Sequence, residues 1–194
     1  MVGKRSLSAI SLILLAGMAG AGGIEKPSPG VWPDKVYRWH YNPQNHPPWL
    51  PEERVRAWVM EAAEQWEDCG VRMEYLGDTQ SRPGAIDGQN VVGWSYAVPP
   101  KIRAATVGQA KSGRLIERDI AFRPDRAEFK RFPRLLRKVI AHEFGHALGL
   151  THSPDCDDVM TLAADCPPVH PSLLPIKPTP DDLVRCRALY HFVP

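Results

Sequence analysis

Three of the chain's seven histidines fall within one short run, His142-Glu143-Phe144-Gly145-His146-Ala147-Leu148-Gly149-Leu150-Thr151-His152. Side chains four apart on a helix share a face, so His142 and His146 can present two imidazoles to one ion. Glu143 follows the first of them, which sets a carboxylate beside that ion without making it a ligand. For His152 to join them the helix must stop and the chain must turn back. Gly149 stands where that turn is needed, because glycine takes a positive φ without penalty.

Three neutral imidazoles would leave the charge of one zinc ion undiminished and a fourth position open for water. Zinc lowers the pKa of such a water to about 7, so hydroxide is available at neutral pH. Glu143 can take the proton as the nucleophile attacks a carbonyl and return it to the leaving amine. The metal also stabilises the oxyanion that forms. The expected chemistry is peptide-bond hydrolysis with one catalytic zinc, Glu143 as general base and no covalent intermediate.

The surrounding pattern must supply a helix and its supports. Leu135, Leu136, Val139, Ile140 and Phe144 recur at helical spacing, which predicts a helix starting after Pro133 and stopping at Gly149. Upstream, residues 35–42 alternate as a strand does. Pro51 opens a helix with Val55, Trp58, Val59, Ala62, Ala63 and Trp66 on one face, and Gly70 ends it. Further strands are expected at 71–76, 91–98, 104–110 and 114–122, the last two joined by a turn at Ser112-Gly113. A Pro-rich loop fills 161–178. The last helix is announced by Thr179 as cap, Pro180 at the first position, and Asp181 and Asp182 at the positive end of its dipole. Leu183, Val184, Cys186, Leu189 and Tyr190 supply its apolar face. The class is α+β. The basic stretch 123–138 reads as a solvated helix face and its approach. His40, His46 and His191 read as surface or packing residues, and His170 as a solvated loop histidine.

The extended motif, HExxH followed by Gly149 and His152, resembles that of the metzincin zinc endopeptidases. Their signature includes a methionine turn beneath the metal, and Asp158-Val159-Met160 matches it, with Met160 eight residues after His152. Ser153, directly after the last ligand, resembles the matrixins, the matrix-metalloproteinase-like branch of peptidase family M10. Residues 36–39, Trp66, residues 119–122 and the closing helix resemble further matrixin pieces, so the likeness runs over roughly 35–192. It implies a metzincin or zincin-like fold: a twisted five-stranded mixed sheet with an active-site helix and a C-terminal helix. A polypeptide substrate would bind extended along an edge strand, best placed at 104–110, and the loop after Met160 would line the specificity pocket. Departures are visible too. There is no cysteine switch, and residues 77–116 hold no histidine for a second, structural zinc. Few acidic residues lie there, so structural calcium is possible but unsupported. Thr161-Leu162 stands where many matrixins have Tyr-Pro.

With 194 residues, 24% charged and 43% hydrophobic, the chain fits one globular domain, and its 20 prolines argue against a helical bundle. Its one long apolar run follows Lys4 and Arg5, covers 7–17 and leads to Ala19-Gly20-Ala21. That is a signal peptide over 1–21, too short for a lasting span. Residues 22–34 read as a loose leader and 35–194 as the catalytic domain. Removing Lys4 and Arg5 leaves 22 basic against 22 acidic residues, so the mature chain is neutral and offers no nucleic-acid footprint. Secretion or a periplasmic location favours two disulfides among Cys69, Cys156, Cys166 and Cys186, which allow three pairings. The preferred one is Cys156 with Cys166, closing a short loop, and Cys69 with Cys186. The sequence leaves oligomeric state open. Two other readings keep the scaffold: a non-catalytic zinc protein that binds extended peptides, and a cell-wall peptide hydrolase.

Overall fold

The structure, a computed structural model, describes residues 30–191; the expected signal peptide at 1–21 lies outside them. Strand β1 (Val36–Asn42) turns Tyr37, Trp39 and Tyr41 to one face, where all three are at most 1% exposed. Helix α1 (Glu52–Trp66) buries Val55, Val59, Ala62, Ala63 and Trp66 and leads through a short 3-10 turn to Gly70, at φ 87°. Strands β2 (Arg72–Asp78), β3 (Val91–Trp94), β4 (Ala104–Lys111) and β5 (Arg114–Phe122) follow. The third strand is shorter than the expected 91–98. The turn between β4 and β5 holds Ser112 at φ 51° and Gly113 at φ 73°, the two positive values that suit a two-residue hairpin loop.

The five strands form one mixed sheet in the order β2-β1-β3-β5-β4, parallel except for the last, antiparallel pair. β4 is therefore an edge strand, as expected of 104–110. Helix α2 (Ala127–Arg131) precedes α3 (Pro133–Ala147), and α4 (Pro180–Tyr190) closes the domain. Phe144 of α3 packs edge-on against Tyr37 and Trp39, and the Trp66 indole donates to the Ala141 carbonyl at 2.8 Å. The core thus forms between the sheet, α1 and α3.

Three local expectations change. The closing helix rests on a narrow stripe of Asp182, Cys186 and Tyr190, while Val184 and Leu189 are 56% and 38% exposed. At about 100° per residue, position 184 points away from that stripe and 189 lies at its margin. In the basic stretch, Arg123 and Lys138 are buried rather than solvated. Arg123 donates to the Tyr96 and Val98 carbonyls and pairs with Asp125, while Lys138 falls one turn before His142 on its inward face. Residues 30–34, assigned from sequence to the leader, are docked. Val31 exchanges backbone hydrogen bonds with Gly113 and Leu115, and buried Trp32 donates its indole N–H to Ala147 O at 2.9 Å.

The connection ahead of β3 hangs on two acidic side chains of β5. Glu117 accepts from the backbone N–H of Asp87 and Gly88, and Asp119 from those of Gly84 and Val91. Both are at most 1% exposed, and burial raises the Asp119 carboxyl to about 7. These backbone donors do the work that a bound cation would otherwise do for a buried carboxylate. The expected disulfides both form, Cys69 with Cys186 and Cys156 with Cys166. Among the described residues no helix is long and apolar enough to cross a membrane.

Candidate metal centre

Proline fits the first turn of α3, and the helix then buries ten of its fifteen residues. Its end is closed tightly. Gly149, at φ 94°, donates to His146 O, and Leu150 N–H reaches Gly145 O. The buried carbonyls of Ala147 and Leu148, left without partners in the helix, accept from the Trp32 indole and the Tyr190 hydroxyl. That closure turns the chain, and Arg185 from α4 holds the returning carbonyls of Thr151 and His152.

The three imidazoles converge. Nε2 of His146 lies 3.1 Å from Nε2 of His142 and 3.2 Å from Nε2 of His152. Two further contacts settle what those nitrogens carry. His142 Nδ1 is 2.8 Å from the Val159 carbonyl and His146 Nδ1 is 2.7 Å from the Leu150 carbonyl. A carbonyl can only accept, so each Nδ1 bears the proton and each Nε2 offers a lone pair. Two lone pairs facing at 3.1 Å repel unless a cation lies between them. Nitrogens held at zinc's usual bond length in a tetrahedron stand roughly 3.3–3.4 Å apart, so the donor set fits zinc. Burial pushes His142 well below its ordinary pKa and His146 down to about 4, keeping both neutral as ligands. Among the described residues this is the one group of three or more His, Cys, Asp or Glu side chains able to share an ion, and structural calcium gains no support.

Glu143 is buried beside the triad, and Thr106 Oγ1 on β4 donates to its Oε2 at 2.7 Å. Burial raises the Glu143 carboxyl to about 7, against the lowering pull of Thr106 and of the Lys138 charge. Lys138 donates from Nζ to Thr161 O at 3.0 Å, and burial lowers its ammonium to about 8.

Met160 lies fully buried under the helix. A Cβ at Gly145 would overlap its sulfur and come within 2.8 Å of the Trp66 ring. The glycine inside the motif is therefore a packing requirement. Gly145→Ala is expected to lower stability by about 1–3 kcal/mol, read as a reduced Tm; an unchanged Tm would show that the Met160 layer yields freely. The turn itself is clamped by Asp182, which accepts from the N–H groups of Val159 and Met160 as well as Thr179. Since the Val159 carbonyl holds His142, Asp182 on α4 sets the orientation of an imidazole 40 residues away (182 − 142). Asp158 accepts from the hydroxyls of Ser153 and Thr179, tying the segment after His152 to the same clamp.

Sequence reasoning singled out the three histidines, which the structure brings together, the cysteine pairs, which it joins, and Glu143 and Met160, which it buries. It missed Thr106, Lys138 and the clamping role of Asp182. Only Lys138 carried a usable signal, its spacing of four from His142. His170 is exposed, bonded to Ser172 and set edge-on to Phe132, outside the triad. His46 is half-buried against Trp94.

The mixed-sheet α+β domain brings together three imidazoles, on and just beyond one helix, in an arrangement able to hold one metal ion. The family model for matrixins, peptidase M10, matches residues 71–191, and the chain belongs to that family. It is thereby one of the metallopeptidases. The match begins after β1 and α1, although these complete the sheet and pin α3. Comparison with curated proteins gives no match. Among solved structures, the GM1 bound form of the ECX AB5 holotoxin is similar at 16% identity and a TM-score of 0.48, over 78% of this chain and 79% of that one. A likeness that slight bears on neither fold nor function.

Proposed function

We propose that the chain is an exported zinc-dependent endopeptidase of metzincin architecture, with residues 1–21 removed as a signal peptide. The observation that carries this reading is the convergence of three Nε2 atoms, two fixed as lone-pair donors by backbone carbonyls, beside buried Glu143. His142, His146 and His152 would hold the ion. Bound zinc supplies Lewis acidity toward a carbonyl and a water acidic enough to attack it. Glu143 receives the water's proton and delivers it to the leaving amine. Thr106 holds the carboxylate for that transfer from the edge strand. β4 pairs with β5 alone among the described strands, so its other side can take an extended peptide as an added strand. Met160 supports the ligand helix from below. The two disulfides fit an oxidising compartment.

The test is cleavage of quenched fluorescent peptides by the zinc-loaded mature chain. Turnover is expected, with loss on chelation and recovery when zinc is returned. Full zinc occupancy without cleavage of any member of a diverse library would overturn the peptidase reading.

A further inference from the structure

We propose that the chain carries a second ligand site, apart from the metal centre, for a small organic carboxylate with an apolar body. The site does not depend on the peptidase reading. It is a cavity of about 540 Å³ set in a gap of the sheet. β3 starts only at Val91, and it pairs with β1 at 40–42 and with β5 at 120–122. The earlier halves of β1 and β5 therefore face each other with no described strand between them. The Asn90 side chain closes one end of the gap, donating to Arg38 O and accepting from the Arg118 N–H, both at 2.7 Å. Val31 closes the other through its backbone bonds to Gly113 and Leu115. Val36, Arg38 and His40 line the cavity and alternate with core-facing Tyr37, Trp39 and Tyr41, so it opens on the sheet face away from α3.

Most of its polar side chains are already engaged. Asp34 pairs with Arg38, which also meets Glu74. Gln89 is bonded to Thr79 and Ser81, and Asn90 spans the gap. That leaves His40 and Arg114, and Arg114 has no ion-pair partner among the described residues. The His40 Nδ1 is buried without a partner. A proton there would lack an acceptor, so the neutral ring carries it on Nε2. Both uncommitted groups are thus donors, and one is a full positive charge. The ligand they fit brings a negatively charged acceptor. The remaining walls are apolar, formed by Trp32, Pro33, Val36, Leu76, Leu115 and Ile116. Leu76 and Ile116 are each 48% exposed, and covering them is favourable. A carboxylate with a hydrocarbon tail meets both demands, whereas a bare phosphate would leave the apolar walls in water. The volume suits a molecule of that kind.

The test is calorimetric titration of octanoate, and of octanamide beside it, into the zinc-loaded mature chain. Octanoate is expected to bind with a Kd of about 0.1–1 mM, and octanamide at least about 10-fold more weakly. Arg114→Gln is expected to bring the two affinities within about twofold by weakening octanoate alone, and Arg114→Lys to keep part of the difference. Leu76→Trp, which fills the mouth from a half-exposed position, is expected to weaken octanoate about 10-fold. Equal binding of acid and amide overturns the proposal, and so does the absence of binding up to roughly 10 mM. Octanoate held at the metal ion instead would keep its preference in both Arg114→Gln and Leu76→Trp, and that result overturns it too. If Arg114→Gln does not fold by circular dichroism, the parent's acid-to-amide ratio and Leu76→Trp still decide. None of these readouts requires that the chain cut a peptide.

Discussion

Glu143→Gln is expected to reduce kcat about 10²- to 10⁴-fold with zinc still bound. Glutamine matches glutamate in shape, and its carbonyl can accept the Thr106 hydroxyl that now holds Oε2 at 2.7 Å. What it cannot do is take a proton from water and hand it on. The three imidazoles and the carbonyls that orient them are untouched by the change. Stability separates this outcome from simple damage. Burial raises the Glu143 carboxyl in the folded metal-free chain from 4.5 to about 7. A raised carboxyl binds its proton more tightly folded than unfolded, so its contribution to stability falls as pH rises from 4.5 through about 7. Removing that charge at neutral pH leaves Tm unchanged or higher. The experiment therefore measures kcat, zinc content and Tm together. Turnover near the parent's, with zinc bound, would remove Glu143 from the role of base.

The features legible in the sequence were those that local spacing can encode. His142, Glu143 and His146 are fixed relative to each other by helix geometry, and Gly149 is the residue that lets His152 return. Thr179 and Pro180 mark a helix start, and the structure shows the full capping box with Asp182. The missing part was tertiary. Thr106 meets Glu143 across 37 residues because the β4-β5 hairpin lays its edge over α3. A lone threonine in an alternating strand says nothing of that. Asp182 looked like a dipole residue at an exposed helix start, yet it is fully buried, because its carboxylate closes its own capping box while reaching the turn at Val159 and Met160. Lys138 was averaged into a run of basic residues, and only its phase relative to His142 separates it from the solvated members.

The long-range disulfide is expected to contribute about 2 kcal/mol more to stability than the short one. Cys69 and Cys186 are 117 residues apart and Cys156 and Cys166 only 10. Chain-entropy arguments assign about 5 kcal/mol to a loop of the first size and nearer 3 kcal/mol to the second. For a domain of this size, Cys69→Ser with Cys186→Ser is expected to lower Tm by roughly 10–20 °C. The loss extends to the site by a traceable route. Cys186 anchors α4 to the end of α1, α4 carries Asp182, Asp182 fixes Val159, and the Val159 carbonyl sets the His142 ring. The variant should therefore bind zinc more weakly even below its Tm, through a loosened first ligand. Cys156→Ser with Cys166→Ser touches a different link, the loop around Met160 whose Thr161 carbonyl receives Lys138. Its Tm should fall by a smaller amount, about 6–12 °C, while its peptide preference shifts. Thermal unfolding and zinc titration of both pairs distinguish the two routes. Equal losses of Tm, or unchanged zinc affinity in the Cys69/Cys186 pair, would show that α4 does not govern the ligand set.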